Sequence, residues 1–350
     1  MTSIQTYSNS RQIVGRYLWY GWPYLVLSLV LLLVIFLSLG VGAVAISPAE
    51  VWATLKSPTL APTATRTIVW DFRLARALLA AITGTALGGA GAAFQGLFRN
   101  PLADPFVIGA SSGAALGATL AITLGWSFAF LNFRPVPLAA FAGALLAVGL
   151  AYLISQVNGQ VTIMTLLLAG TALSSLFAAG VSLLMIFSGE DMVNVYYWLL
   201  GGFAGRSWDD LWLTLPYVFF GLTGLLLLSR PLDALAFGEE TAQGLGIPVQ
   251  QVRLSIVLLA ALATAAAVAS SGIIGFVGLV SPHIARLLWG PVHGRLLPTS
   301  ALLGAALLVL ADSVARTLLA PMELPVGILT ALLGAPFFLY LLRTQRKMFF

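Results

Sequence analysis

Apolar runs, each long enough to cross a membrane, alternate with short polar stretches along almost the whole chain. A helix needs roughly 20 apolar residues to traverse the hydrocarbon of a bilayer. Ten windows meet that criterion: 24–45, 77–98, 106–128, 135–155, 161–187, 211–229, 252–271, 273–290, 297–319 and 325–342. The runs do not alternate in tens as the strands of a membrane β-barrel do. Backbone polar groups in lipid must be satisfied within the segment, so helices are the remaining solution. The pattern predicts an all-α polytopic membrane protein with about ten transmembrane helices, built as one domain over residues 1–350. The least defined boundary is Ser270-Ser271-Gly272, between the seventh and eighth windows, so nine or eleven spans also fit. The first window follows a polar stretch that ends near Arg16. It exceeds the roughly 7–15 apolar residues of a signal peptide and is expected to be a retained helix.

Composition strengthens this picture. Hydrophobic residues make up 59% and charged residues only 8%, with a mean hydropathy of +0.98. A soluble domain carries about 25% charged residues, so lipid is the solvent for most of this surface. There is no cysteine, which excludes disulfides and thiolate metal sites. The net charge of +5 is small for so long a chain and gives no argument for nucleic acid. Its distribution sets orientation. With the N-terminus inside, the inner loops hold Arg11, Arg16, Arg99, Arg230, Arg253, Arg286, Arg295, Arg343, Arg346 and Lys347, and the outer loops hold Lys56, Arg66, Arg73, Arg76, Arg134, Arg206 and Arg316. That bias favours cytoplasmic termini.

Many of the 35 glycines lie inside the spans. Gly84, Gly88, Gly89 and Gly91 share the second. Gly109, Gly113 and Gly117 follow one another every four residues in the third. Small residues at this spacing let helix backbones approach closely, so they are expected to pack helices. A faint internal echo pairs Phe94-Gln95-Gly96-Leu97, upstream of Pro101, with Phe276-Val277-Gly278-Leu279, upstream of Pro282.

Candidate chemistry is sparse. The loop 230–251 contains Glu239 and Glu240, which suit the positive end of a short helix. Gly244 or Gly246 can end that helix, and Pro248 forbids its continuation. A short extramembrane helix is expected there, on the cytoplasmic side, either as a solvated connector or as a docking element for a partner. The only lysines are Lys56, preceded by Leu55, and Lys347, preceded by Arg346. The Gly-Lys-Ser/Thr of a phosphate-binding loop is missing, so ATP chemistry of that type belongs to another chain. Asp312 and Arg316 are one helical turn apart and read as a self-neutralising pair at a membrane edge. An intramembrane acid would otherwise mark an ion pathway. His283 and His293 have no carboxylate close in sequence and are expected to pack or to hydrogen-bond. No catalytic constellation, metal site or cofactor is expected.

Several stretches together resemble one family, the FecCD-type permease subunits of bacterial ABC importers for iron-siderophores, haem and vitamin B12. They are Arg73-Leu74-Ala75-Arg76, the segment 94–113 with its Arg99-Asn100-Pro101-Leu102-Ala103-Asp104-Pro105, and Gly238-Glu239-Glu240 with Gly244 and Gly246. Further on come 275–286 with Ser281-Pro282-His283, Ala311-Asp312-Ser313-Val314-Ala315-Arg316, Glu323-Leu324-Pro325-Val326-Gly327 and Gly334-Ala335-Pro336. Ala75 departs from the family, which usually has proline there.

The resemblance implies a type II importer permease of ten helices, paired with a second permease subunit. It implies cytoplasmic ATPase subunits that meet the 230–251 coupling loop through Glu239, Glu240, Gly244 and Gly246. It also implies a periplasmic or lipid-anchored binding protein that docks on Arg73, Arg76 and Arg316. The expected cargo is an iron-siderophore, with haem and vitamin B12 as alternatives. An ion-coupled secondary transporter using Asp312, or a membrane scaffold without transport, are the competing classes.

Overall fold

A computed structural model describes residues 5–126 and 134–344. Each of the ten predicted windows holds a helix. The chain opens with α1 (Gln5–Gly40) and the short α2 (Pro48–Lys56). Next, α3 (Thr63–Arg66), a π-helical stretch (Thr67–Leu74) and α4 (Ala75–Leu97) form one rod. It is followed by α5 (Ala110–Thr123) and α6 (Pro135–Ile154). A small antiparallel hairpin of β1 (Gln156–Val157) and β2 (Gln160–Val161) leads into α7 (Ile163–Phe187), α8 (Met192–Leu200) and α9 (Trp208–Leu227). Two short helices, α10 (Ser229–Ala236) and α11 (Glu239–Gly244), precede α12 (Val249–Ser271), α13 (Val277–Trp289), α14 (His293–Ala315) and α15 (Val326–Thr344).

Among the described residues, seven helices are long and apolar enough to cross a membrane: Gly21–Gly40, Thr63–Leu97, Pro135–Ile154, Ile163–Phe187, Trp208–Leu227, Val249–Ser271 and His293–Ala315. The windows 106–128, 273–290 and 325–342 contain shorter helices, for identifiable reasons. At α5, Gly109 takes a left-handed conformation (φ 92°) and Gly125 another (φ 60°), which bound the helix at both ends. At α13, Gly272 (φ 69°) and Phe276 (φ 68°) hold an irregular segment, so the helix starts only at Val277. Similarly, α1 stops at Gly40 rather than at 45, because Ile46 N–H returns to the Gly40 carbonyl at 3.1 Å and Gly42 turns the chain. The expected end of the third span at 127–128 and the basic residues Arg346 and Lys347 lie outside the described residues.

The bundle is organised around α4 and α12, which are buried on nearly every face. α4 lies against α9, α12, α13 and α14, and α5 packs on α6 and α7. The outer helices present leucines and phenylalanines outward, among them Leu29, Leu176, Leu183, Phe219 and Phe220. That is the surface of a protein bathed in lipid. The glycine stripes do what their spacing predicts. A methyl group added at Gly84 would lie 2.2 Å from the Gly304 carbonyl oxygen, at Gly88 2.3 Å from that of Ser300, and at Gly91 1.9 Å from that of Gly278. Gly113 meets Gly143 in the same way, and Gly117 meets Ala139. The two echoed segments also touch. Gln95 donates to the Leu279 carbonyl at 3.4 Å, and Arg286 donates to the Gln95 side chain at 3.0 Å.

Candidate functional site: the two polar ends of the bundle

Among the described residues, two clusters of ion pairs lie at the two ends of the bundle. One end lies where α4 begins and α14 finishes, and it gathers Arg73, Arg76 and Arg316. Arg76 grips Asp312 with two nitrogens, Nε at 3.0 Å and Nη2 at 2.8 Å from Oδ1, and reaches Glu323 with Nη1 at 2.7 Å. Arg316 Nε lies 3.2 Å from the second Asp312 oxygen, and its Nη2 donates to the Ser38 carbonyl. Arg73 instead donates to the Leu39 and Val44 carbonyls at 2.7 and 2.5 Å, fixing the turn after α1. Gly42 is needed there, since a side chain would collide with the Arg73 guanidinium. The three arginines are only 5–9% exposed. They nevertheless line a cavity of about 690 Å³, together with Arg206, Asp71, Asp209 and Glu323. The Asp312–Arg316 turn read from spacing is present, and Arg76 joins it from 236 residues away.

The other end carries the 230–251 segment. Its short helix is α11, preceded by Gly238 at φ 121° and followed by Gly246 at φ 77°. Ala242 is fully buried and seats the helix, whereas a methyl group at Gly244 would meet nothing within 4 Å. Phe237 and Leu245 flank it at 81% and 68% exposure. Exposed apolar side chains beside a polar helix are the makings of a contact surface. Glu239 forms an ion pair with Arg253, a residue only 1% exposed. Arg253 also donates to the Val161 carbonyl, next to Gln250, which accepts from Val161 N–H at 3.2 Å. One guanidinium therefore ties α11, α12 and the β-hairpin together.

Sequence reasoning missed that role for Arg253. The available signal was a lone arginine four residues into an apolar helix, since a charge so placed must find a partner. It also missed the carboxylate of His293: Asp233 Oδ1 lies 2.7 Å from Nδ1 and accepts the His293 backbone N–H at 2.8 Å. His283 packs edge-on to Phe337. In the α4–α5 loop, Asp104 accepts the Phe106 N–H at 2.9 Å, and burial pushes its carboxyl up to about 6.

A lipid-facing helical bundle with a charged pocket at one end and an exposed short helix at the other is the architecture of a polytopic membrane protein. The chain belongs to the FecCD transport family, whose model matches residues 30–344. It is 48% identical to the cobalamin import system permease protein BtuC of Halobacterium salinarum, over 81% of this chain and 75% of that one. It is 40% identical to the hemin transport system permease protein HmuU of Yersinia pestis, over 93% and 97%. An ABC transporter permease protein of Bacillus subtilis, YvrB, shares 44% identity over 80% of both chains. Among solved structures, an inward-facing conformation of a metal-chelate type ABC transporter superposes with a TM-score of 0.81 at 35% identity. That match covers 93% of this chain and 99% of the other. The chain is therefore a multi-pass permease of the cell's inner membrane.

Proposed function

We propose that this permease carries an iron-siderophore-like chelate inward across the membrane, driven by ATP hydrolysis in a separate pair of cytoplasmic subunits. Both termini and α11 face the cytoplasm in this reading, in keeping with the bias of basic loops. The observation that carries it is α11 itself, an exposed helix with bare apolar flanks, anchored to the central helix α12 through Glu239 and Arg253. Glu239, Glu240, Gly244 and Gly246 meet the ATPase there. Force applied to α11 then enters the core directly.

At the opposite end, a substrate-binding protein docks over the cavity lined by Arg73, Arg76 and Arg316. Acidic side chains of that protein enter the cavity and compete with Asp312 and Glu323 for the guanidinium groups. A second permease subunit completes the pathway. The purified chain should hydrolyse no ATP, for want of a phosphate-binding loop.

The test is uptake by proteoliposomes holding permease, ATPase and binding protein. Replacing Glu239 and Glu240 with lysine, or Gly244 with tryptophan, should abolish uptake without preventing membrane insertion. Uptake that persists in these variants, or that follows an ion gradient rather than ATP, would refute the reading. Haem and vitamin B12 are the competing cargoes, and competition among the three chelates separates them.

A further inference from the structure

Beside the arginine-lined cavity lies a second one of about 280 Å³, where α8, the 201–206 turn and the start of α15 converge. Asn194, Tyr197, Trp198, Arg206, Arg76 and Glu323 contribute to its wall. Two of these carry buried donors with no partner, the indole Nε1–H of Trp198 and the guanidinium Nε–H of Arg206. Unpaired buried donors are costly and uncommon. Two of them beside one cavity point to an acceptor that arrives from outside.

The charge balance says which kind of acceptor. Asp210 lies 3.6 Å from Arg206 and 3.7 Å from Arg134, too far for hydrogen bonds to either, so one carboxylate serves two guanidinium groups. Glu323, the acid on the cavity wall, is bound by Arg76, and Arg76 is itself matched by Asp312 and Glu323. On the wall of this cavity two guanidinium groups, Arg76 and Arg206, face one carboxylate, Glu323, which Arg76 takes up. Asp71 and Asp209 line the neighbouring cavity, and Arg206, held only at 3.6 Å by Asp210, is the cation left to meet an acceptor from this side. A carboxylate has only acceptors, and its planar pair of oxygens fits the guanidinium fork. The volume admits an acid group on an arm.

We propose that this cavity holds a carboxylate arm of the transported chelate, with Arg206 and Trp198 as donors. The proposal rests on the importer reading above and narrows its cargo to carboxylate-bearing, anionic chelates. Neither N–H has a hydrogen-bond partner to give up when it meets the ligand.

The experiment is equilibrium binding of radiolabelled Fe(III)-dicitrate, and of a neutral Fe(III)-trihydroxamate, to the permease–ATPase complex in nanodiscs without binding protein. The parent complex should bind the dicitrate chelate. R206Q should weaken that binding by about tenfold or more, as expected for a charge-assisted contact. R206K should retain part of it and W198F should lose part, while the neutral chelate should bind all variants alike. Three results would overturn the proposal: no dicitrate binding by the parent, undiminished binding by R206Q, or equal weakening of both chelates. ATP-driven uptake is scored separately on the same complexes. Intact dicitrate binding without uptake would sink the importer reading and leave the site standing.

Discussion

Replacing Gly84 with alanine adds one methyl group at a close backbone seam of the bundle, where α4 runs along α14. That carbon would lie 2.2 Å from the Gly304 oxygen, 2.6 Å from its carbonyl carbon and 2.9 Å from Ala305 Cα. All three are backbone atoms, so no side chain can swing aside. Carbon and oxygen prefer roughly 3.3–3.6 Å even in close C–H···O contacts, so the helices must part by about 1 Å. A gap of that size forfeits a quarter to a half of each dispersion contact it opens. Overpacking of this kind costs about 1–3 kcal/mol. The substitution also gains about 0.8–1 kcal/mol of helix propensity, so the net effect is destabilising. Gly149 in α6 is the control, because a methyl group there meets nothing within 4 Å. Thermal unfolding in detergent should fall by a few degrees for G84A and hold or rise for G149A. G304A, on the facing helix, should behave like G84A, and the double variant should cost less than the sum of the two. Equal melting temperatures for G84A and G149A would refute close backbone packing at this seam.

Other substitutions probe the two ends. Arg253→Met removes the shared anchor of α11 and the hairpin, and should abolish ATP-coupled uptake while substrate-independent ATPase activity of the complex persists; normal uptake would show that the anchor is dispensable. Asp312→Ala strands Arg316 as a buried charge and leaves Arg76 with Glu323 alone, a change that costs about 3–5 kcal/mol. The loss of folded protein should be visible in detergent extracts, and a well-folded D312A defective only in gradient-driven transport would favour an ion-coupled mechanism. Asp104 has a carboxyl raised from 3.8 to about 6, so its neutral form favours the fold. Stability should be greatest below about pH 4 and decline as pH rises through about 6, by at most about 3 kcal/mol. Asp104→Asn keeps the acceptor for Phe106 N–H and should flatten that dependence in unfolding measured across the range.

Hydropathy made the ten helical windows legible, and glycine spacing announced the seams at Gly84, Gly113 and Gly117. The acidic pair, glycines and proline of 238–248 gave α11. These are local signals, carried within a few turns of chain. The irregular backbone at 272–276 escaped because hydropathy is blind to dihedral angles, so an apolar segment with left-handed Gly272 and Phe276 reads like a helix. The α8 helix was missed because nine residues are too few to span. Ion pairs were the least legible. Arg76 and Asp312 are 236 residues apart, and His293 and Asp233 are 60 apart. Their meeting is decided by which helices pack together, which no local spacing records. Arg206 had been counted only as an outer-loop charge. Its unpaired Nε emerged once α8 and the 201–206 turn were placed around it.

The helix α12 has a mechanical consequence. Its 23 residues contain neither glycine nor proline and span roughly 34 Å. At one tip Arg253 is bolted to α11. At the other, the Ser271 carbonyl accepts Gly202 N–H at 2.7 Å, and Gly272 abuts the Trp198 carbonyl so closely that a methyl group would sit 2.3 Å from it. The helix is thus a rod without a joint, tied at both tips. Under the function proposed above, a stroke delivered at Glu239 would be carried along this rod to the turn that holds Arg206, so that events at one face of the membrane would be geared to the other.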